Sequence, residues 1–190
     1  MNFRRARDDD WPAVIALQDA NLAWKLEEED KRDGYLSAQF SPEQFGEMNA
    51  GGAVAVAEAN GVLTGYACCA PRSFGADIPT LQAMRQQFQK LSYLGKPLDN
   101  ATCCIYGPVC VARAFRGKGI LRGLIGQLKE EIRGRFEVAA CFIGKSNTRS
   151  FSAHVDGLGM SLVGDFRFEG RAYWIVAFGV PPAATSCIFR

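Results

Sequence analysis

The stretch that decides the fold reads Arg116-Gly117-Lys118-Gly119-Ile120-Leu121-Arg122-Gly123. It lies between an apolar run at 103–111 and an amphipathic run that reaches Ile132, and this pattern predicts a strand, a glycine-bearing turn and a helix. The free N–H groups and the dipole of a helix start attract anions, and glycines let the backbone approach a ligand closely. Because three basic side chains surround the same point, the stretch predicts a pyrophosphate site.

The composition is that of an ordinary globular protein, with 48% hydrophobic and 22% charged residues among 190. Lys and Arg total 22 against 20 for Asp and Glu, and the resulting net charge of +2 argues against a general nucleic-acid or anionic-membrane binder. No run approaches the roughly 20 apolar residues that cross a bilayer. The charged start of the chain also lacks the apolar segment of a signal peptide. We therefore expect a cytoplasmic protein with neither nucleic acid nor membrane as partner.

The seven cysteines are odd in number, form no C-x-x-C pair and fall mostly in apolar runs. In a reducing compartment such residues are usually small buried hydrophobes. Only one histidine accompanies them, so the spacing typical of a metal site is missing. We expect no metal.

Hydrophobic periodicity predicts a mixed sheet with helices on both faces. The dipeptide Asn60-Gly61 stands between two apolar runs and predicts a hairpin. Helices are expected to begin near residues 10, 41, 119 and 147. The expected strands are 2–6, 52–59, 62–70, 103–111, 137–143, 161–168 and 172–178.

The connection 71–100 is unusually long, and Leu81, Met84 and Phe88 recur in it at helical spacing. This favours a helix that packs on the core, with a mobile lid as the alternative. We predict one domain over 1–180, with this helical insertion near 71–100, and a C-terminal tail at 181–190.

Three phosphate-binding motifs compete for the glycine turn. A Walker A loop needs a Lys followed by Ser or Thr after a suitable glycine, and this turn has none. A dinucleotide-binding fingerprint needs a third glycine where Arg122 stands. It also needs an alternating βαβ array, which the hairpin at Asn60-Gly61 contradicts.

The third motif fits better, because the stretch from Val109 to Ile120 resembles the acyl-CoA pyrophosphate loop of the GNAT superfamily of N-acetyltransferases. Asn147-Thr148-Arg149-Ser150, followed by Leu158-Gly159-Met160, is similar to that family's second signature. The resemblance covers about residues 2–179. It implies an α/β fold with a mostly antiparallel sheet of about seven strands, splayed between strands 4 and 5, and helices on both faces.

The chain departs from the family pattern at four places, one of which is the 71–100 connection, longer than the link that is typical of the family. Arg113 stands where Pro is usual, and Leu121 stands where Gly or Ala is common. The spacing from Asn147 to Gly159 is also one residue longer than usual.

The resemblance implies that the turn binds the pyrophosphate of acetyl-CoA, the co-substrate. Backbone N–H groups of the strand before the turn would contact the pantetheine arm, and one near Val109 would stabilise the oxyanion. Asn147 is also suited to be a helix N-cap, a role compatible with binding pantetheine. The implied cofactor-binding residues are Val109, Val111, Arg116, Gly117, Lys118, Gly119, Ile120, Leu121, Arg122, Asn147 and Ser150.

The implied catalytic groups are His154 and the backbone of Val109. Counted from Asn147, His154 occupies the slot of the family's thiolate-protonating Tyr; counted back from Gly159, the slot falls on Val155. The general base is left open, with Tyr106 and the acidic group 27–30 among its candidates. We expect direct attack in a ternary complex rather than a Cys acyl-enzyme.

The function implied by the resemblance is transfer of an acetyl group from acetyl-CoA to a primary amine of a small molecule or peptide. The alternative is a non-catalytic acyl-CoA-binding sensor. The acidic group 27–30 favours either a solvated face or a wall that attracts a cationic amine. A homodimer is left open.

Overall fold

The hairpin around Asn60 and Gly61 forms the middle of one half of the molecule. In the computed structural model, which describes residues 1–100 and 102–183, these two residues have φ of 52° and 78°. Positive φ at both central residues is what a type I′ hairpin turn requires. The flanking strands are buried on both faces, as their continuous apolar runs predict.

Seven strands form the main sheet, and its spatial order is β1-β2-β3-β6-β7-β9-β8. All neighbouring pairs are antiparallel except β6 with β7. A separate hairpin, β4 with β5, was not expected from the sequence. The strands are β1 (Asn2–Arg5), β2 (Ala53–Ala59), β3 (Val62–Pro71), β4 (Ser92–Tyr93), β5 (Lys96–Pro97), β6 (Cys103–Val111), β7 (Val138–Gly144), β8 (Ser161–Phe168) and β9 (Arg171–Gly179).

Within the described residues, six α-helices accompany the strands. Ser41 begins one of them with a capping box, in which its hydroxyl accepts from the Gln44 N–H and its own N–H donates to Gln44. The helices are α1 (Trp11–Asp19), α2 (Glu28–Lys31), α3 (Pro42–Gly51), α4 (Pro79–Phe88), α5 (Ile120–Ile132) and α6 (Thr148–His154).

Two apolar layers enclose the sheet. Val54, Val56 and Tyr66 point into the layer with α1, α3 and α4, whereas their neighbours Ala55 and Ala67 point into the layer with α5. This alternation follows from the period of two in a strand. Helices therefore cover both faces, as predicted.

The helix of the long insertion packs on the core. Leu81, Met84 and Phe88 of α4 are buried in the first layer, and this confirms the core helix over the mobile lid. The domain over 1–180 stays a prediction. Of the predicted tail, residues 184–190 lie outside the described part of the chain.

The sheet splays between its fourth and fifth strands, β6 and β7. Their parallel pairing covers Cys103 to Ile105 of β6. Just beyond, the register of β3 with β6 shifts by one residue, since the four residues from Tyr106 to Val109 oppose the three from Ala67 to Cys69. Such a bulge bends the strand. The splay predicted from the sequence is therefore confirmed, and it opens the sheet beside the end of β6.

Candidate functional site

The glycine turn joins β6 to α5 in a left-handed conformation. Gly117 and Gly119 have φ of 73° and 78°, and Gly119 is the N-cap of α5. A Cβ added at either position would meet no atom within 4 Å. The glycines are therefore required by backbone conformation, since left-handed φ is costly for other residues, and open space lies in front of them.

A cavity of about 400 Å³ begins at this turn and follows the end of β6 to α6. It brings together most of the residues that the sequence singled out. Those that line it are Val109, Val111, Arg116, Gly117, Gly119, Ile120, Leu121, Arg122, Ser150 and His154.

Lys118 and Asn147 lie elsewhere. Lys118 does not line this cavity, and its ammonium lies 5.4 Å from the centre of the Phe115 ring. Asn147 caps α6, since its Oδ1 accepts from the Ser150 N–H at 3.3 Å. Its Nδ2 donates to the Tyr35 carbonyl at 2.9 Å. The amide of Asn147 thus ties α6 to the loop before α3.

Arg116 is a clamp between distant parts of the chain. Its Nε donates to the Val111 carbonyl at 3.0 Å, and its two terminal nitrogens donate to the Asp33 carbonyl at 2.9 Å and Asn21 Oδ1 at 2.6 Å. Arg122 in turn donates to the Gly157 carbonyl at 2.7 Å. These two guanidinium groups thus connect the end of β6 and the start of α5 with the segment between α1 and α3 and with the segment after α6.

His154 sits in a buried hydrogen-bonded network at the far end of the cavity. Its Nδ1 lies 2.7 Å from the Ser150 carbonyl, which can only accept, so Nδ1 carries the proton. Nε2 lies 3.0 Å from the Tyr106 hydroxyl and accepts its hydrogen bond. Burial lowers the pKa of His154, and burial also raises the pKa of Tyr106 well above its usual value. Both groups are therefore neutral near pH 7.

A second cavity of about 220 Å³ opens on the other side of His154. It lies where β6 and β7 splay, and the turn between β8 and β9 and the start of the 71–100 insertion complete its wall. The two cavities meet at shared lining residues, which are Tyr35, Leu36, Val109, Ser150 and His154.

The cysteines near these cavities are protonated thiols. Cys110 lines the first cavity and Cys141 the second, and burial raises the pKa of each to about 12. All six cysteines that the structure describes are buried and unpaired by disulfides, as expected for small core hydrophobes. Cys187 lies outside the described residues.

Comparison with protein families identifies the family to which a chain with this site belongs. The model of the acetyltransferase (GNAT) family matches residues 17–160. The chain belongs to the GNAT family of acetyltransferases. A comparison with curated proteins finds no match.

Solved structures share the GNAT fold of this chain. A ribosomal-protein-alanine N-acetyltransferase from Brucella melitensis has a TM-score of 0.60 at 22% identity, over 94% of this chain and 99% of that one. The ribosomal-protein-S18-alanine N-acetyltransferase from Escherichia coli has 0.61 at 13% identity, over 99% of each chain. A phosphinothricin acetyltransferase from Sinorhizobium meliloti, solved in complex with AcCoA, has 0.61 at 16% identity, over 97% and 91%. At such identities these neighbours support the fold alone.

Two features of this GNAT site escaped prediction from the sequence. Asn21 and Arg149 line the first cavity; Arg149 stands within the second signature, but the sequence assigned it no role of its own, and no local pattern pointed to Asn21. The bond between Tyr106 and His154 joins residues 48 positions apart, so only the packing of α6 against the splayed strands reveals it. The sequence alone marks Tyr106 only as one candidate for the general base.

Two searches of the described residues gave negative results. Within 1–100 and 102–183, no group of three or more His, Cys, Asp or Glu side chains is arranged to hold a metal ion. In the same ranges, no helix has the length and apolar character needed to cross a membrane.

Proposed function

We propose that this GNAT protein transfers the acetyl group of acetyl-CoA to a primary amine in a ternary complex. One observation carries the proposal. A left-handed glycine turn at the start of α5 opens onto a cavity that follows the splayed edge of β6 to the buried His154. A solved neighbour of the same fold holds AcCoA, and two are named as N-acetyltransferases, which agrees with this choice of donor and reaction.

The turn would hold the pyrophosphate. The first turn of the 13-residue helix α5 lines the cavity, and the free N–H groups and the dipole of a helix start supply partial positive charge there. Arg122 and Arg149 also line this cavity and bring two further positive charges. Lys118, outside the lining, would act at longer range.

The edge of β6 would hold the pantetheine arm and the thioester. In the described chain, β7 pairs with β6 only up to Ile105, so the edge near Val109 and Val111 faces the cavity rather than a strand. A backbone N–H there would stabilise the negative charge that develops on the thioester oxygen during attack. One such donor is worth on the order of 100-fold in rate.

Direct attack suits the chemistry of the site better than a Cys acyl-enzyme. Cys110 and Cys141 are protonated thiols with the pKa of each near 12, and a thiol is a weak nucleophile compared with its thiolate. The amine nitrogen would bond to the thioester carbon, and the carbon–sulfur bond would break. Proximity within the ternary complex supplies much of the acceleration.

His154 would then return a proton to the leaving sulfur. Its neutral Nε2 would take a proton released by the attacking amine and pass it to the CoA thiolate. Because burial lowers the pKa of His154, its protonated form is a stronger acid than an exposed imidazolium. The Tyr106 hydroxyl would hold the ring, since it can donate to neutral Nε2 or accept from its protonated form.

Calorimetric titration with acetyl-CoA, followed by a thiol-release assay on a panel of amines, tests the proposal. We expect saturable binding and release of CoA that depends on the amine. Binding without release on any amine would favour the alternative of an acyl-CoA sensor. A protein that does not bind acetyl-CoA would contradict both functions.

A further inference from the structure

The residues that line the second cavity limit the chemical class of amine that can serve as acceptor. We propose that the acceptor is a small primary monoamine carried on an aromatic or other apolar body. The inference rests on the proposed function, because it takes the second cavity as the place where the amine meets the thioester.

The position of the second cavity suits an acceptor. Its shared boundary with the first cavity includes Val109 and His154, the groups proposed to act on the thioester. A donor that enters from the glycine turn and an acceptor that enters from the splay would meet at this boundary. Two adjoining cavities would let donor and acceptor be bound at the same time, as attack within a ternary complex requires.

A cluster of aromatic side chains forms one part of the wall of the second cavity. Phe40, Phe74, Phe142, Phe168 and Tyr173 all line it. The rings brace one another, with Phe142 edge-on to Tyr173 at 5.3 Å and Phe40 6.0 Å from Phe74. Flat, mutually packed rings favour a planar apolar guest. The volume of about 220 Å³ is below the ~300–1,000 Å³ of sites for drug-sized ligands, so the guest is small.

The insertion between β3 and β6 contributes a fixed part of this wall. Phe74 and Leu81 line the cavity and are 4% and 6% exposed. Arg85 of α4 donates to the carbonyls of Phe74 and Gly75. Since α4 itself is anchored in the core, this side of the site is a preformed surface.

Charged side chains are scarce around the cavity. Of the described residues that line it, Glu169 and Arg171 carry formal charge, and both are exposed at the β8–β9 turn. The acidic group 27–30 lines neither cavity, and Asp30 pairs with Arg113 instead. Apart from Glu169 at the exposed turn, the described lining offers no carboxylate, so a polyamine or an aminoglycoside would bury its further ammonium groups with too few partners, which is costly.

An apolar site also prepares the nucleophile. Aromatic faces attract an approaching ammonium, whereas burial among apolar groups disfavours the charged form and lowers the pKa of the amine. The neutral amine that attacks would thus form without a dedicated carboxylate base at the junction.

The test compares amines at saturating acetyl-CoA. The probes are 2-phenylethylamine, 2-phenylethylamine with an aminomethyl group added to its ring, spermidine, and a short peptide with N-terminal alanine. We expect kcat/KM for 2-phenylethylamine to exceed that for each of the others by about tenfold or more. Preference for a polycation or for the peptide would overturn the inference and leave the acetyltransferase proposal standing.

Two variants of α4 locate the amine. Thr80 lines the cavity, so Thr80→Trp should fill it and lower kcat/KM for 2-phenylethylamine by about tenfold or more. Gln86 is exposed on the same helix and outside the lining, so Gln86→Trp should leave kcat/KM unchanged. Titration should give both variants the wild-type affinity for acetyl-CoA. Equal kcat/KM in the two variants would refute the acceptor assignment. It would also be refuted if the wild type bound acetyl-CoA but did not turn over 2-phenylethylamine. If the wild type did not bind acetyl-CoA, the proposed function itself would be refuted instead.

Discussion

Substitution of Gly119 by Glu is the sharpest test of the donor site. Gly119 has φ of 78° and caps α5, and a Cβ there would meet no atom within 4 Å. The Glu side chain would therefore enter the open cavity rather than clash with the fold. We expect Gly119→Glu to abolish measurable binding of acetyl-CoA.

The magnitude follows from charge and conformation. A carboxylate about 5 Å from one phosphate charge costs about 3 kcal/mol at an effective dielectric of 20, which weakens binding more than ~100-fold. The left-handed φ costs a non-glycine residue roughly 1–2 kcal/mol of stability. The Gly119→Gln variant shares that strain and most of the bulk, so its comparison with Glu isolates the charge.

Gly126 provides the matched control on the same helix. It is exposed, a Cβ there would also meet nothing within 4 Å, and it lies outside the cavity lining. Gly126→Glu should keep wild-type affinity and gain up to about 1 kcal/mol of stability from helix propensity. Calorimetric titration and thermal unfolding of the three variants give both quantities. If folded Gly119→Glu bound acetyl-CoA as tightly as wild type, the assignment of the turn to pyrophosphate would be refuted.

Three other perturbations probe the packing and the buried network. Gly123→Ala should lower the free energy of unfolding by about 1–3 kcal/mol, because its Cβ would lie 2.1 Å from the Phe3 ring; Gly126→Ala should not, and denaturant titration compares the two. Tyr106→Phe should lower turnover by about 100-fold with unchanged acetyl-CoA affinity, since it removes the hydroxyl on His154 Nε2; normal kcat in a thiol-release assay would argue against the network. Burial lowers the pKa of His154 in the folded protein, so as the pH falls through ~6.5 the unfolded chain binds this proton before the folded protein does. Wild type should then lose stability relative to His154→Gln by up to about 1.4 kcal/mol per pH unit. Urea unfolding of both proteins from pH 8 to 5 measures this, and a difference between their free energies of unfolding that does not change with pH would contradict it.

Much of the fold was predictable because its signals are local. The runs at 103–111 and 161–168 became strands with those bounds, and Asn60-Gly61 formed the expected turn. The helix in the insertion packed on the core as its apolar spacing indicated. The hairpin of β4 and β5, two residues a strand, carries too little pattern to be recognised.

The site was predictable where one segment forms it. The glycine turn supplies backbone conformation and N–H groups by itself, and it lies at the cavity as expected. Side-chain directions were harder, because Lys118 turns to the Phe115 ring and Arg116 binds residues up to 95 positions away. Their roles in binding pyrophosphate stay predictions, as does the cytoplasmic location, and the homodimer stays open.

The sequence by itself determined the strand, the glycine-bearing turn and the helix around Gly117 and Gly119, and with them the resemblance to the family. Short-range sterics and the period of side chains govern those features, and both are written in neighbouring residues. Only the tertiary structure brought Tyr106 against His154 and Phe74 against the splay. Such contacts depend on the order of strands and the packing of distant elements. The donor half of the site can therefore be predicted from one segment, whereas the acceptor half is formed only when distant segments pack together in the folded chain.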